Sequence, residues 1–180
     1  MTTRSTVNAQ LTALAELDQL LSQAAIPYWV FGGWAVDFHV GELTRAHADI
    51  DIAVWAEDWL QIAALLANAR WHHAPDPGED GYTCYRRGPV RLEVAFLARD
   101  EDGVIYTPTR AGRGEWPMGS FDDTVARLLG IQVRVVTRQS LIIDKSQPRD
   151  AAHAADNDRA DVIRLRAGSL RPSPPPPNER

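Results

Sequence analysis

The chain is poor in the residues that would cross-link it or draw it to nucleic acid or a membrane. Its single cysteine, Cys84, excludes an internal disulfide framework and any site built from several thiolates. Nineteen lysines and arginines stand against 24 acidic residues, and the net charge of −5 argues against sequence-independent binding to nucleic acid. The longest aliphatic run, residues 62–67, is far shorter than the roughly 18 residues of a membrane span. We therefore expect no nucleic acid partner and no membrane association.

What the chain does have is enough apolar sequence for one core. Its 180 residues are 44% hydrophobic, which is typical of about one domain. Prolines are concentrated at one end, where residues 172–177 carry five of the 12. Because proline-rich segments favour extended, solvated backbone, we predict a domain over residues 1–168 and a disordered tail over 169–180. The polar N-terminal residues lack a secretory pattern, which predicts a cytoplasmic protein.

Helical and strand patterns alternate before this tail. Apolar residues at steps of three and four from Val7 to Ala24 predict a helix that Pro27 ends. By the same criteria the other expected elements are helices at 34–40, 60–69, 141–145 and 151–165 and strands at 28–31, 49–55, 82–87, 90–97, 104–106 and 132–136. Residues 109–121 show no pattern that assigns an element. Helices interspersed with a small mixed sheet predict an α+β (mixed α/β) domain.

Two carboxylates are predicted on one face of a strand. Because residues i and i+2 of a strand point the same way, Asp49 and Asp51 project together while Ile50 and Ile52 cover the buried face. Adjacent carboxylates repel each other unless a cation lies between them, and Mg²⁺ prefers carboxylates together with substrate phosphate oxygens. Glu93, on the outer face of a hairpin strand, is the third acid expected nearby. Three such acids can hold one or two metal ions for phosphoryl chemistry.

Gly32 and Gly33 separate a predicted strand from a helix that is expected to open at Trp34. A Gly-Gly pair lets backbone amides approach an anion closely, and the helix N-terminus adds its positive dipole end. Taken alone, the pair is interpreted most simply as a turn. Its position 16 residues before Asp49, with strand, helix, loop and strand in order, favours a phosphate-binding loop beside a metal site.

Residues 32–52 resemble the nucleotide-binding signature of the DNA polymerase β-like nucleotidyltransferases. The run Gly-Gly-Trp-Ala-x-Asp, then Gly, then Thr-Arg-x-His-x-Asp-Ile-Asp is similar to that of the small aminoglycoside and lincosamide O-nucleotidyltransferases. The likeness covers about residues 26–165. Residues 91–94, Arg-Leu-Glu-Val, resemble the strand of the third acid, and Lys145, Asp158 and Asp161 resemble the C-terminal helical stretch. The fold implied is that of a polymerase β-like nucleotidyltransferase, a small mixed sheet flanked by helices.

The resemblance implies transfer of a nucleoside monophosphate, usually AMP from ATP, to a hydroxyl of a small antibiotic-like acceptor, an aminoglycoside or a lincosamide. Asp49, Asp51 and Glu93 would be the catalytic residues and would bind Mg²⁺. Glu93 would be either the third metal ligand or the general base that takes the proton of the attacking hydroxyl. The protein is expected to be a monomer or a homodimer.

The same resemblance implies which residues bind the triphosphate. Gly32 and Gly33 would hold it, and Lys145 would place a point charge beside it. Independently of the resemblance, Arg45 lies in the loop that enters the acid strand, where contact with phosphate and an ion pair with acidic neighbours are equally good interpretations.

Two polar residues within the signature are expected to support the site. His47 would hydrogen-bond Asp49 or Asp51, and Asp37 would fix the loop through Arg45.

The remaining aromatic, histidine and cysteine residues suggest no second site. Most of the six tryptophans are expected in the core, although Trp116 can instead line a substrate or base pocket. His72 and His73 would point to opposite faces of a strand, so they do not form a metal site. Cys84 is expected to be a small hydrophobic residue.

Two other functions are compatible with the same fold. A nucleotidyltransferase of the antitoxin type would adenylylate a side chain of a partner protein. A non-catalytic nucleotide-binding module could dispense with at least one acid, and the presence of Asp49, Asp51, Glu93 and Lys145 together disfavours it.

Overall fold

The computed structural model describes residues 3–148 and 152–168. The predicted proline-rich tail lies outside the described residues, and the boundary of the domain at residue 168 stays a prediction. In chain order the elements are α1 (Thr3–Gln23), β1 (Tyr28–Phe31), α2 (Gly32–Val40), β2 (Ile50–Trp55), α3 (Trp59–Asn68), β3 (His72–His73), β4 (Tyr82–Arg87), β5 (Val90–Arg99), β6 (Ile105–Thr109), β7 (Gly112–Glu115), β8 (Val125–Leu128), β9 (Ile131–Arg134), α4 (Arg138–Lys145) and α5 (Ala152–Gly168).

A mixed sheet organises these elements. Its strands lie in the order β1-β2-β5-β4-β3, with β6 and β7 extending from β5, and β8 pairs separately with β9. Strands β2 and β5 are parallel, whereas β1 is antiparallel to β2 and β4 is antiparallel to β5. The hairpin predicted from residues 82–97 is confirmed as β4 and β5. The α+β class is therefore confirmed.

The two faces of the sheet differ in chemistry. One face is apolar and fully buried, for example at Ile52 of β2 and Val94 of β5, and it belongs to the same core as the buried leucines of α1 and α3. On the other face, Phe31, Asp51 and Glu93 are register partners in β1, β2 and β5. Directly opposed residues of neighbouring strands point to the same side, so these three side chains form one row.

Helix α1 supplies much of the cover for the apolar face. Leu14, Leu17 and Leu21 are buried at the spacing of one helical stripe, as their sequence pattern predicts. Among the described residues, no helix combines the length and the apolar character that crossing a bilayer requires.

Some short elements were not predicted from the sequence. Strand β7 is exposed along its whole length, both residues of β3 are exposed, and β8 is buried only at Leu128. An exposed strand carries no apolar alternation, so its sequence gives no strand signal. Strand β7 lies within the segment 109–121 that showed no pattern. The predicted elements are all present among the described residues, with boundaries that differ by a few residues.

Two leucines at opposite extremes of burial in α3 test the packing against the sheet. Leu66 is fully buried and Leu60 is 83% exposed. We expect Leu66→Ala to lower the free energy of unfolding by about 2–5 kcal/mol, because it leaves a cavity in the core. Leu60→Ala should change it by less than about 0.5 kcal/mol. Urea denaturation measures both values, and equal effects would contradict the described orientation of α3.

Candidate active site

Asp49, Asp51 and Glu93 come together at the start of two parallel strands. Asp51 is the register partner of Glu93 across the β2–β5 pair, and Asp49 immediately precedes β2. One carboxylate oxygen from each of the three residues lies within 4.8 Å of the other two, and all three residues are partly buried. The structure therefore brings together the three acids that the sequence singled out.

The electrostatics of this cluster suit a cation. Burial raises the pKa of Asp51 well above its usual range, and the nearby charges of Asp49 and Glu93 raise it further. Burial also raises the pKa of Glu93, although the positive charge of Arg91 opposes the shift. Clustered carboxylate oxygens are the ligands that hard divalent cations prefer. The residues present fit a divalent metal ion, which would relieve their mutual repulsion.

Arg91 is a part of the site that the sequence reasoning missed. Its guanidinium donates to Asp49 Oδ2 at 3.3 Å, pairs with Glu93 Oε1 at 2.9 Å and also pairs with Asp76 from the loop before β4. Arg91 lies two residues before Glu93 on the same strand, so it shares the face of the acid. This i, i+2 spacing was the available signal. Arg91 orients two of the three carboxylates and offsets part of their charge.

The two glycines allow the chain to pass very close to the acids. Gly32 has a left-handed φ of 64°, and a Cβ placed there would lie 1.9 Å from Asp51 Oδ2. A Cβ on Gly33 would lie 2.4 Å from His47 Nδ1. Any larger residue would displace these side chains, so both positions require glycine for close approach.

Helix α2 begins at Gly32, not at the predicted Trp34. Its N-cap residue, Phe31, provides no side-chain hydrogen bond to the first turn. The first amides of a helix have no partner within the helix, and an uncapped N-terminus is suited to an anion. The predicted anion-binding backbone is thus the first turn of α2, directly beside Asp51.

A buried aspartate fixes the loop that enters β2. Asp37, fully buried on α2, accepts hydrogen bonds from Thr44 Oγ1 at 2.5 Å and from His47 Nε2 at 2.6 Å. Arg45 can only donate, so its 3.0 Å contact makes His47 Nδ1 an acceptor and leaves the ring proton on Nε2. The histidine ring also lies against the indole of Trp34, with centroids 4.7 Å apart.

This arrangement corrects two expectations. Asp37 does fix the loop, but through Thr44 and His47, and not through Arg45. His47 hydrogen-bonds Asp37, and not Asp49 or Asp51, because its ring turns towards α2 and away from the acid cluster.

The two cations predicted to contact the triphosphate are both held by α5. Arg45 Nη2 lies 3.2 Å from Asp161 Oδ2, and Lys145 Nζ lies 3.0 Å from the same oxygen. Lys145 Nζ also lies 2.8 Å from Asp158 Oδ1. The ion-pair interpretation of Arg45 is therefore confirmed, and its contact with phosphate stays a prediction. The pairs join α5 to α4 and to the loop before β2.

The other residues considered from sequence have structural surroundings. Cys84 is buried next to Arg91, and burial raises the pKa of its thiol to about 11. His72 and His73 are exposed on β3, and among the described residues the Asp49–Asp51–Glu93 cluster is the one group with metal-ligand geometry. Trp116 is half-buried, packs against the core and also lines a cavity, and its alternative role in a substrate or base pocket stays a prediction.

Gly32, the first residue of α2, and Gly41, which follows its last residue, separate the effect of backbone strain from the effect of the close approach. Gly32 and Gly41 both have left-handed φ angles, but a Cβ on Gly41 would meet no atom within 4 Å. Alanine at either position costs about 1–2 kcal/mol of strain. Only Gly32→Ala should also displace Asp51 and weaken Mn²⁺ binding, by about 10–100-fold. Isothermal titration of Mn²⁺ against both variants tests this expectation, and equal affinities would refute it.

The fold and the sequence can be compared with known proteins. The lincosamide antibiotic adenylyltransferase LnuA, solved with lincomycin bound, superposes with a TM-score of 0.65 at 18% identity, covering 83% of this chain and 91% of that one. The crystal structure of ANT(2'')-Ia in complex with adenylyl-2''-tobramycin gives a TM-score of 0.64 at 18% identity, covering 89% and 97%. At such identities the likeness shows the shared fold.

Sequence comparison reaches curated relatives over a shorter segment. A 2''-aminoglycoside nucleotidyltransferase of Klebsiella pneumoniae is 34% identical over 57 residues, and one of Escherichia coli is 32% identical over 57 residues. Each match spans 32% of this chain and 32% of the relative. The family model described as aminoglycoside-2''-adenylyltransferase matches residues 13–165, which is most of the chain. The chain belongs to this family.

Proposed function

We propose that the protein transfers AMP from ATP to a hydroxyl of an aminoglycoside or lincosamide antibiotic, with Mg²⁺ as the metal ion. The observation that carries the proposal is the cluster of Asp49, Asp51 and Glu93 beside the uncapped N-terminus of α2. Membership of the adenylyltransferase family supports the reaction class. The acceptor class is supported by the ligands of two proteins with the same fold, lincomycin in LnuA and the adenylyl-2''-tobramycin in ANT(2'')-Ia.

Each residue of the cluster has a role in this reaction. Asp49 and Asp51 would hold Mg²⁺, which supplies charge stabilisation to the phosphoryl oxygens when bound. The acceptor hydroxyl oxygen attacks the α-phosphorus, so that one O–P bond forms while the bond to the bridging oxygen breaks. Pyrophosphate leaves, and the hydroxyl proton passes to Glu93. The amides of Gly32 and Gly33 receive the leaving pyrophosphate.

Arg45 and Lys145 support the binding of the triphosphate in this proposal. Asp161 holds both side chains, so their charges are positioned before any ligand arrives. A preorganised charge stabilises a transition state without the cost of rearrangement.

The two alternative functions differ from this proposal: one has a protein as the acceptor, and the other has no catalytic activity. Adenylylation of a partner protein would use the same cluster, and it would require a protein side chain to reach Glu93. A non-catalytic module would have no use for three convergent carboxylates, which is an argument against it. The monomeric or dimeric state, the absence of a nucleic acid partner and the cytoplasmic location stay predictions.

Pyrophosphate release from Mg²⁺-ATP tests the proposal directly. We expect release that depends on an acceptor, found with a panel of aminoglycosides and lincosamides. Asp51→Asn should reduce turnover by about 10²-fold or more, because the metal ion contributes several kcal/mol of charge stabilisation. Glu57→Gln, which changes an exposed acid just beyond the far end of β2, is the matched control and should have normal turnover. Release that is equal in wild type and Asp51→Asn would refute the assignment of the site.

One substitution distinguishes the two possible roles of Glu93, general base and metal ligand. Glu93→Gln keeps the size of the side chain but removes its charge and basicity. If Glu93 is chiefly the base, turnover should fall by about 10²–10⁴-fold with near-normal binding of Mg²⁺-ATP. The remaining rate should then rise with pH, because a more ionised acceptor no longer needs the base.

A different outcome would make Glu93 a ligand. Metal affinity would fall, and excess Mg²⁺ would restore part of the rate. We expect the first outcome, because two aspartates with phosphate oxygens suffice for one metal ion. Wild-type turnover in Glu93→Gln would remove this residue from the reaction.

A further inference from the structure

A cavity of about 550 Å³ lies between β6, the loop that follows β7 and α4. This volume is in the range of small-molecule sites, about 300–1,000 Å³. Its walls include Trp116, Met118 and Ile143, and two carboxylates, Asp102 and Glu115, lie in the same lining. None of these residues is part of the acid cluster.

The walls of the cavity are held in place by specific contacts. The indole of Trp116 donates from Nε1 to Thr107 Oγ1 at 3.0 Å and packs edge-on against Phe31, with ring centroids 5.5 Å apart. Ser120 Oγ, at the end of the same loop, lies 2.7 Å from Ser140 Oγ of α4. The cavity is therefore preformed, and Trp116 presents a fixed ring to it.

The position of the cavity indicates whether it binds the nucleotide or the acceptor. Phe31 and Glu93 are the register partners that flank Asp51 on opposite sides. In phosphoryl transfer the attacking and leaving oxygens lie roughly in line on opposite sides of the phosphorus. An acceptor whose proton passes to Glu93 must approach from the Glu93 side. The cavity lies on the Phe31 side, where α2 begins at Gly32, which favours the nucleotide as its occupant.

The chemistry of the lining indicates which part of a nucleotide fits. An aromatic ring with neighbouring apolar side chains stacks favourably on a nucleobase. Met118 is fully exposed and Ile143 is 37% exposed, and a bound ring would cover both. The carboxylates of Asp102 and Glu115 accept hydrogen bonds, so they favour a base edge that carries an amino group over one that carries a carbonyl.

We propose that this cavity receives the nucleobase of the co-substrate, stacked on Trp116 with an exocyclic amino group towards Asp102 and Glu115. The inference rests on the proposed function, because it takes the acid cluster as the site of the α-phosphate. It assigns adenine-type bases as the preferred class.

Comparison of ATP with inorganic tripolyphosphate isolates the contribution of the base. With Mg²⁺ present and no acceptor, isothermal titration should show that the wild-type protein binds ATP more tightly than tripolyphosphate. Trp116→Leu should weaken ATP binding by about tenfold, because stacking on one aromatic side chain contributes about that much. Its affinity for tripolyphosphate should be unchanged, which also shows that the variant is folded.

Trp55→Leu is the matched control. Trp55 is also half-buried, packs edge-on against Trp29 and lines a different cavity. Its replacement should leave both affinities unchanged.

Three outcomes would overturn the assignment of the cavity to the nucleobase without contradicting the proposed function. Equal affinity of the wild-type protein for ATP and tripolyphosphate would show that no base is bound. Equal weakening of both ligands in Trp116→Leu would make Trp116 a purely structural residue. Normal ATP affinity of Trp116→Leu, together with a raised KM for the antibiotic in this variant, would assign the cavity to the acceptor. If the wild-type protein bound neither phosphate compound and released no pyrophosphate, the proposed function itself would fail.

Two measurements on the unmodified protein complete the test. Inosine triphosphate, which has a carbonyl in place of the amino group, should bind more weakly than ATP, and equal binding would contradict the role of the carboxylates. Oxidation of Met118 by dilute peroxide, followed by peptide mass spectrometry, should be slowed several-fold by Mg²⁺-ATP but not by Mg²⁺-tripolyphosphate. Equal rates with the two compounds would show that the base does not cover this wall.

Discussion

The parallel pairing of β2 with β5 is the constraint on which the site depends. Its register places Asp51 beside Glu93, and the first residue before β2 adds Asp49. Three carboxylates at such distances repel one another, and burial of Asp51 makes the repulsion costly. The chain tolerates the arrangement because the apolar face of the same strands is fully buried and fixes the register: a shift of one residue would turn the acids into the core. Core packing, together with the ion pairs of Arg91, therefore maintains a cluster that the repulsion between the carboxylates alone would disperse.

The glycine pair has a second use that follows from this cluster. Its conformational freedom is usually explained by the approach of a phosphate, but here Gly32 already has the carboxylate of Asp51 against its Cα and Gly33 has the ring of His47. The signature thus acts as a packing unit as well as a binding loop. Asp37 locks His47 and Thr44, His47 is seated against Gly33, and the loop then delivers Asp49 to the start of β2. Spacing between the glycines and the acids is set by this chain of contacts.

Sequence reasoning predicted the parts of the molecule that leave a periodic pattern. The strands that carry Asp51 and Glu93 alternate apolar with polar residues, so their faces and their acids could be identified, and α1 showed a clear stripe. Strand β7 has no buried face and left no pattern. The partners of Asp37 could not be predicted although Thr44 and His47 are only seven and ten residues away in the chain, because the contacts depend on how the loop before β2 folds back on α2. The contact of Arg91 with Asp49 joins residues 42 positions apart, and it depends on the pairing of β2 with β5. Asp161 is 116 residues from Arg45, and only the packing of α5 shows that they meet.

The shared aspartate also separates the roles of the two cations. Lys145 is 6% exposed, and its ammonium group faces Asp158 and Asp161, so its charge is already balanced by contact. Its remaining influence on the acid cluster is at a distance, where it lowers the pKa of Asp51. Arg45 is 26% exposed, and it is held on two sides: Nη2 pairs with Asp161, and Nη1 contacts His47 Nδ1 and the carbonyl oxygen of Ala46. A guanidinium has five N–H donors in a fixed fork, so these three contacts do not use all of them. Under the proposed function Arg45 is therefore the more accessible of the two cations to an incoming phosphate, whereas the nearly buried Lys145 joins α4 to α5.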